Sequence, residues 1–391
     1  MEVYILDSLN RRSAVIDRFN SLIWTERMSA YGDFELLVNS TNENRNRFVA
    51  GTKLAMNESY RVMTIKTVED TTDAEGLQLL KVTGPSLEKI LEQRVAMGAL
   101  TDLTTNPKWI LTGLPMAIAR QIYHDICVTG ILNAGDIIAG VTEASIFPVD
   151  TIAEPSDSII YEMDPQTVYS AIKQLADAYG FGFRLVREPV SSQLYWDVYS
   201  GSDRTTQQHT LPAVVFSPTL DNLYNTKSLT TLELYKNVAY VVSPVGHEVV
   251  YPLDVDPSVA GFERNVLLVK ADDITDTVPA TASARMIQRG KEALAQNRQF
   301  SAFDGEIGQY TTYRYGTDYY LGDLVELRSS TGATNQMQVT EQIFVSDREG
   351  EKRYPTLAIN KFITPGSWSA WDFNQVWEDL NLDPQTWADQ P

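Results

Sequence analysis

Apolar and polar residues alternate with a period of two through much of this chain, the spacing of half-buried strands. Val3 and Ile5 alternate with Tyr4 and Leu6, and a second strand is predicted from Phe34 to Val38, after the turn Tyr31-Gly32-Asp33. Tyr60 to Glu69 and Leu77 to Val82 make two further runs around the polar loop Asp70 to Gly76, a hairpin pattern. Gly84-Pro85-Ser86 closes it and opens a helical turn in which Leu87, Ile90 and Leu91 share a face.

The period then lengthens. Asn106-Pro107 reads as a helix start followed by Trp109, Ile110 and Leu111, with Gly113-Leu114-Pro115 as a break and a second segment from Met116 to Ile126. Residues 127–160 carry no clear pattern. The strongest helix is predicted over Asp164 to Tyr179, with Asp164 as N-cap, Pro165 at the first position and Gly180 as C-cap. Val168, Ile172, Leu175, Ala176 and Tyr179 form its apolar stripe. Phe181 to Val186 and Gln193 to Tyr199 read as a hairpin behind it.

From Ser217 the pattern returns to strands: Ser228 to Val242, Glu248 to Leu253 and Asn265 to Val269. A helix over about Thr281 to Ala295 interrupts them. Strands resume at Gln299 to Glu306, Leu324 to Arg328, Gln336 to Val345 and Thr356 to Phe362. The predicted class is therefore β-rich α+β, in five parts. Two β-rich units, 1–95 and 217–365, flank a helical and irregular connection at 96–160 and a small α/β unit at 161–216, and a tail follows at 366–391. Gly32-Asp33-Phe34-Glu35-Leu36 and Gly322-Asp323-Leu324-Val325-Glu326-Leu327 are faintly alike, which hints at a duplicated barrel.

The tail changes the picture. Its 26 residues hold Trp368, Trp371, Trp377 and Trp387, four of the seven tryptophans, together with Phe373, five acids and no Lys or Arg. Disordered segments normally lack large aromatics, whereas tryptophan anchors binding surfaces. The tail is expected to dock, on its own domain or on another chain, with these five aromatics as the interface residues.

Charge excludes some functions. At a net −19 the chain offers no basic stripe to displace counterions from phosphates, so specific nucleic-acid binding is not expected. No apolar run approaches the ~18 residues of a spanning helix, and Met1-Glu2 opens directly into a strand pattern, so a protein made and kept in a cytoplasm is expected. With Cys127 alone, no disulfide forms within the chain.

Candidate chemistry is sparse. His124, His209 and His247 lie far apart and without metal-ligand spacing. Ser86 lacks the Gly-x-Ser-x-Gly elbow, and Gly290-Lys291 sits inside a predicted helix, not in a phosphate loop. His124 and Cys127 are an i, i+3 pair without an orienting third group. Asp254 with Asp256 and Asp272 with Asp273 read as solvated loop charge. No catalytic residue, cofactor or metal is expected, and the chain reads as a non-enzyme.

Three segments resemble the tail-hub proteins of long-tailed phages, also called baseplate hub or tail-tip hub proteins. They are Gly32-Asp33-Phe34-Glu35-Leu36-Leu37-Val38, the stretch from Val82-Thr83-Gly84-Pro85-Ser86-Leu87 to Arg94, and the run from Arg289-Gly290-Lys291 to Tyr315-Gly316-Thr317-Asp318-Tyr319-Tyr320-Leu321-Gly322-Asp323-Leu324-Val325. The Trp-rich acidic tail looks like the C-termini of minor tail proteins from phages of actinobacteria. The resemblance implies two small antiparallel tube-like β-barrel domains per chain. Three copies would form a homotrimeric pseudo-sixfold ring in the virion, made in the host bacterial cytoplasm, that joins the tail tube to threefold tip or fibre proteins. The implied partners are the distal tail protein, the tail tube, the tape-measure protein and the tip or fibre proteins. An acidic channel would let DNA pass without adsorbing. Hubs with a fused hydrolase are longer, and the hub pattern here ends some 26 residues before the C-terminus. Two other classes compete: a β-rich receptor- or carbohydrate-binding module, and a glycoside hydrolase with facing carboxylates.

Overall fold

The computed structural model describes the chain apart from residues 73–75, 77, 99–107, 155–157, 232–234, 253–254, 298–299, 307–312, 329–333, 349 and 360–391. All the described elements belong to the unit formed by residues 1–360.

Among the described residues, the first 85 build eight strands and one short helix. The strands are β1 (Val3–Leu6), β2 (Arg12–Ile16), β3 (Ser21–Arg27), β4 (Asp33–Asn39), β5 (Lys53–Met56), β6 (Val62–Thr64), β7 (Thr67–Thr72) and β8 (Gln78–Pro85), with α1 (Asn42–Arg47) between β4 and β5. One sheet runs β2-β1-β5-β6, and β3-β4-β8-β7 belongs to a second. Alternation decides which side chains fill the space between them. Phe34, Leu36 and Val38 of β4 turn inward, as do Leu22 and Trp24 of β3 and Val3, Leu54 and Met56 of the other sheet. Glu35 faces out and pairs with Lys81 on β8 at 2.9 Å. The sheets come together where β8 passes β6. Gly84 is required there, because a Cβ would lie 1.9 Å from the Thr64 carbonyl oxygen.

The middle contains β9 (Val95–Ala96), β10 (Trp109–Gly113), β11 (Val141–Glu143), β12 (Ile159–Met163), β13 (Gln166–Thr167), β14 (Gly182–Arg187) and β15 (Leu194–Tyr199). Its helices are α2 (Pro115–Tyr123), extended by a π-helical turn over His124–Thr129, and α3 (Val168–Tyr179). Two expectations are corrected here. Trp109, Ile110 and Leu111 lie in a strand, not a helix. β10 pairs antiparallel with β12, some 50 residues away, a partner that no local periodicity reveals. Pro115 consequently starts α2 at its first turn and does not break it. Helix α3 begins at Val168, not at Asp164-Pro165. Gln166 and Thr167 are engaged with β9, so the helix starts only after them, and the Thr167 hydroxyl caps it by accepting from the Ser170 amide at 3.1 Å. Its C-terminus is as predicted, with Gly180 at φ +73. The antiparallel pair β14–β15 is the expected hairpin. Ile118 and Ile122 of α2 share one core with Ile172 and Leu175 of α3 and Phe183 and Trp196 of the hairpin, so the stretch expected as a connection packs with the α/β unit.

The last part holds β16 (Val215–Phe216), β17 (Tyr224–Thr231), β18 (Val238–Ser243), β19 (Gly246–Val250), β20 (Val266–Lys270), α4 (Pro279–Gln296), β21 (Phe300–Glu306), β22 (Leu324–Arg328), β23 (Thr334–Asp347) and β24 (Gly350–Ile359). The chain is β-rich, as predicted, but among the described residues no sheet closes into a barrel. β18, β19 and β20 leave the main sheet to form their own three-stranded layer against α4. The remaining strands join the first part in one ten-stranded sheet, β17-β21-β24-β23-β3-β4-β8-β7, with β22 beside β23 and β16 beside β22. The reason is the length of β23. Its residues 334–338 pair with β22, the register shifts at Thr340, and residues 341–346 pair with β3. A bulge that redirects a strand in this way lets one strand serve two sheet regions in place of two closed edges.

Candidate interaction surfaces and their buried framework

Trp368, Trp371, Phe373, Trp377 and Trp387 lie outside the described residues. The other sequence candidates fall in unrelated places. Ser86 is buried at the start of the 3-10 helix Leu87–Gln93, and its Oγ accepts from the Gly32 amide at 2.8 Å, so it clasps the β3–β4 turn. Cys127 is fully buried, and burial pushes its thiol up to about 12, which keeps it protonated. His124 is half-exposed, with Nδ1 2.7 Å from Glu143 Oε2. That hydrogen bond raises its pKa. The histidine and the thiol therefore face different environments. Asp256 is an exposed loop residue accepting from the Ser258 amide, and Asp254 lies outside the described residues. Among the described residues no cluster of three or more His, Cys, Asp or Glu is placed to hold a metal.

Asp273 is not solvated loop charge. It sits between α4 and the middle of the chain, where Arg289 grips it with two bonds of 3.1 and 3.0 Å and Lys108 adds an ion pair. Arg285 of α4 pairs with Glu162 of β12 and with Asp276. Burial pushes the Asp273 carboxyl up, but the bonds from Arg289 and Lys108 prevail and hold it well below the usual carboxylate range. A depressed native pKa contributes stability that is present above the unfolded value of about 3.9 and lost as pH falls below it. Acid titration of unfolding should therefore show a loss below about pH 4 that is shallower in Asp273→Asn. Identical acid limbs for the two proteins would show this cluster to be energetically idle.

Sequence reasoning missed a buried polar junction where the three parts of the fold meet. Arg61 pairs with Glu88, both almost wholly buried, and Arg61 Nη2 also donates to the Arg27 carbonyl at 3.1 Å. Glu88 accepts from the Leu185 amide at 2.8 Å, which ties the first part to the hairpin. Glu26 on β3 is buried, so its carboxyl pKa is raised, and Tyr315 donates to it at 2.7 Å from a segment 289 residues away. Arg184 lies over the rings of Phe147 and Tyr199 at 3.7 and 4.0 Å and pairs with Asp197 at 2.7 Å. A cavity of about 20 Å³ lies among Glu26, Arg61, Arg184 and Tyr315. Every cation here is matched by a carboxylate or carbonyl. The geometry suits a mechanical lock between parts, since its charges are matched by partners from different parts of the fold.

An open cleft of about 520 Å³ lies beside β15, lined by Arg120, His124, Glu143, Trp196 and Asp197. Its charges are already engaged: Arg120 with Glu154 at 3.2 Å, His124 with Glu143, and Asp197 with Arg184. An exposed apolar surface lies elsewhere, on the outer side of the β19-β18-β20 layer, where Val242, Val249, Val266 and Leu268 are all exposed.

The fold is that of solved phage tail proteins. The tail protein from Neisseria meningitidis MC58 superposes with a TM-score of 0.56 at 14% identity, covering 93% of this chain and 98% of that one. The 43 kDa tail protein of prophage MuSo2 from Shewanella oneidensis gives 0.53 at 11% identity, covering 92% and 96%. No curated protein matches the chain at the level of sequence. A family profile does, along almost the whole described unit: residues 2–357 match the description Siphovirus ReqiPepy6 Gp37-like protein, and the chain belongs to that family.

Proposed function

We propose that this chain is a structural protein of a phage tail, placed at the tail tip as the hub that joins the tail tube to the tip or fibre proteins. The observation that carries this reading is the fold shared with two phage tail proteins over more than nine-tenths of each chain. The family membership supports it, as does the hub-like Tyr315–Val325 segment, which lies at the seam between the fold's parts. In this reading three copies form a ring around the DNA exit channel, of the type used by phages of actinobacteria. The distal tail protein, tail tube and tape-measure protein are its neighbours, and the protein is made in the host cytoplasm before entering the virion. A net charge of −19 suits a wall past which DNA slides. The chain is a non-enzyme in this reading, and His124, Cys127 and Ser86 serve structure.

Trp368, Trp371, Phe373, Trp377 and Trp387 are proposed to anchor a contact with another subunit or tail protein, the acids between them staying at the rim. Loss of one such buried anchor costs about 2 kcal/mol or more, so removing all of them should abolish the contact. A phage whose gene lacks codons 366–391 is expected to make a folded protein that fails to enter infectious tails. Native mass spectrometry of the full-length chain should give three copies. A normal titre from the truncated gene would sink the role given to the tail, and a persistent single copy would sink the ring.

A further inference from the structure

The β19-β18-β20 layer carries apolar side chains on both faces, and the outer one, bounded by buried Val238 at one end and by His247 and Lys270 at the other, is exposed between them. Inward, Ala239, Val241 and Val250 pack against Ala282 and Met286 of α4. The approach is close enough that a Cβ on Gly290 would lie 2.7 Å from Val250. Outward, a sheet face left to solvent is normally polar. Here Tyr240 stands in register between Val249 and Leu268, and Leu268 is 62% exposed on an edge strand. Val242 and Val266 extend the same face and are 43% and 40% exposed. Contiguous apolar surface of this kind marks a binding site. Its rim is cationic in a strongly acidic protein. Lys270 is opposite Val242, and Arg264 lies near the rings of Tyr240 and Tyr251, bonded to the Tyr240 hydroxyl at 3.1 Å.

The occupant must therefore bring apolar bulk and negative charge. One segment of this chain outside the described residues has that chemistry: residues 366–391, with four tryptophans, Phe373, five acids and no base. We propose that the outer face of this layer receives the 366–391 segment of a second copy of the chain. The tryptophans would cover Val249, Tyr240 and Leu268, and the acids would meet Lys270 and Arg264. The inference rests on the self-association proposed above and adds the surface that mediates it.

The test uses full-length protein and acrylamide quenching of tryptophan fluorescence across a dilution series, with copy number followed by native mass spectrometry. Trp24 and Trp196 are buried, and the partly buried Trp109 is removed by measuring in a Trp109→Phe background, so a change in quenching reports chiefly on the tail. The wild type should show tail tryptophans protected when associated and exposed on dilution. Leu268→Asp, a surface change that leaves the inner face intact, should weaken that protection more than about tenfold in concentration. Val190→Asp, at an unrelated exposed position, should not, and both variants should keep the wild-type circular dichroism spectrum. Association with quenching unchanged by Leu268→Asp would overturn the assignment of this face. Protection that survives dilution to single copies would mean the segment binds its own chain and would overturn the second-copy contact. A wild type that never associates would fail the self-association reading itself.

Discussion

Arg61→Met is expected to destabilise the protein by about 3–5 kcal/mol, the usual cost of leaving one member of a buried ion pair without its partner. Arg61 and Glu88 have side-chain exposures of 3% and 0%, so no water compensates the charge that remains. The guanidinium also bonds the Arg27 carbonyl, and Glu88 holds the Leu185 amide, so the loss falls on the contact between the first part and the β14–β15 hairpin. Arg61→Met combined with Glu88→Gln should recover much of the loss, since neither member of the pair is then charged and the amide oxygen can still accept from Leu185. Arg61→Lys should lie between, because an ammonium keeps the charge but not the guanidinium's several donors. Urea denaturation midpoints of the four proteins check the order. A wild-type midpoint for Arg61→Met would show that the junction does not hold the parts together.

The junction also marks where sequence reasoning stops. β4, β22, α3 and α4 were legible because each carries a complete period of its own: Phe34, Leu36 and Val38 at spacing two, and Val168, Ile172, Leu175 and Ala176 at helical spacing. β3 was not, although Leu22 and Trp24 alternate, because its next inward residue is Glu26, an acid that reads as surface until Tyr315 is seen beside it. β10 failed for a related reason, since Trp109–Gly113 becomes a strand only through β12. β19 and β20 were found, but β18 was joined to β17 as one strand from Ser228 to Val242, and the layering was not seen. Apolar residues on both faces of Val238–Ser243 could equally signal a central barrel strand, and only the packing of α4 separates the two. Pairings such as Arg61 with Glu88 or Glu26 with Tyr315 have no local signature at all, because charge complementarity is visible only after the fold brings distant residues together.

Asp323→Ala should cost about 3–5 kcal/mol as well, and it tests what the Tyr315–Val325 segment is for. That segment is a knot of short-range and long-range bonds. Tyr315 reaches Glu26, Tyr319 donates to Gln342 at 3.0 Å, and Tyr320 donates to the Gly316 carbonyl at 2.9 Å. Gly322 at φ +91 packs against Gly201 at φ +87, and a Cβ on Gly201 would lie 2.2 Å from the Gly322 oxygen. Asp323 finishes the knot. It accepts from the Ser202 amide at 2.8 Å, the Tyr320 amide at 3.0 Å and Arg204 Nε at 2.9 Å, all three in nearly dry surroundings. The faint likeness between Gly32-Asp33 and Gly322-Asp323 therefore hides opposite chemistry: Asp33 is exposed at the end of a sheet strand, whereas Asp323 is buried and tied to three donors. Burial pushes its carboxyl up to about 6 against the pull of the Ser202 and Arg204 bonds, so at neutral pH it is ionised and balances Arg204. Alanine leaves that guanidinium and two amides without acceptors, each amide worth about 1–3 kcal/mol if it stays dry. Asp33→Ala, by contrast, should change stability by less than about 0.5 kcal/mol, as surface substitutions usually do. Equal effects at the two positions, measured as urea midpoints, would mean that the segment's conformation does not depend on Asp323.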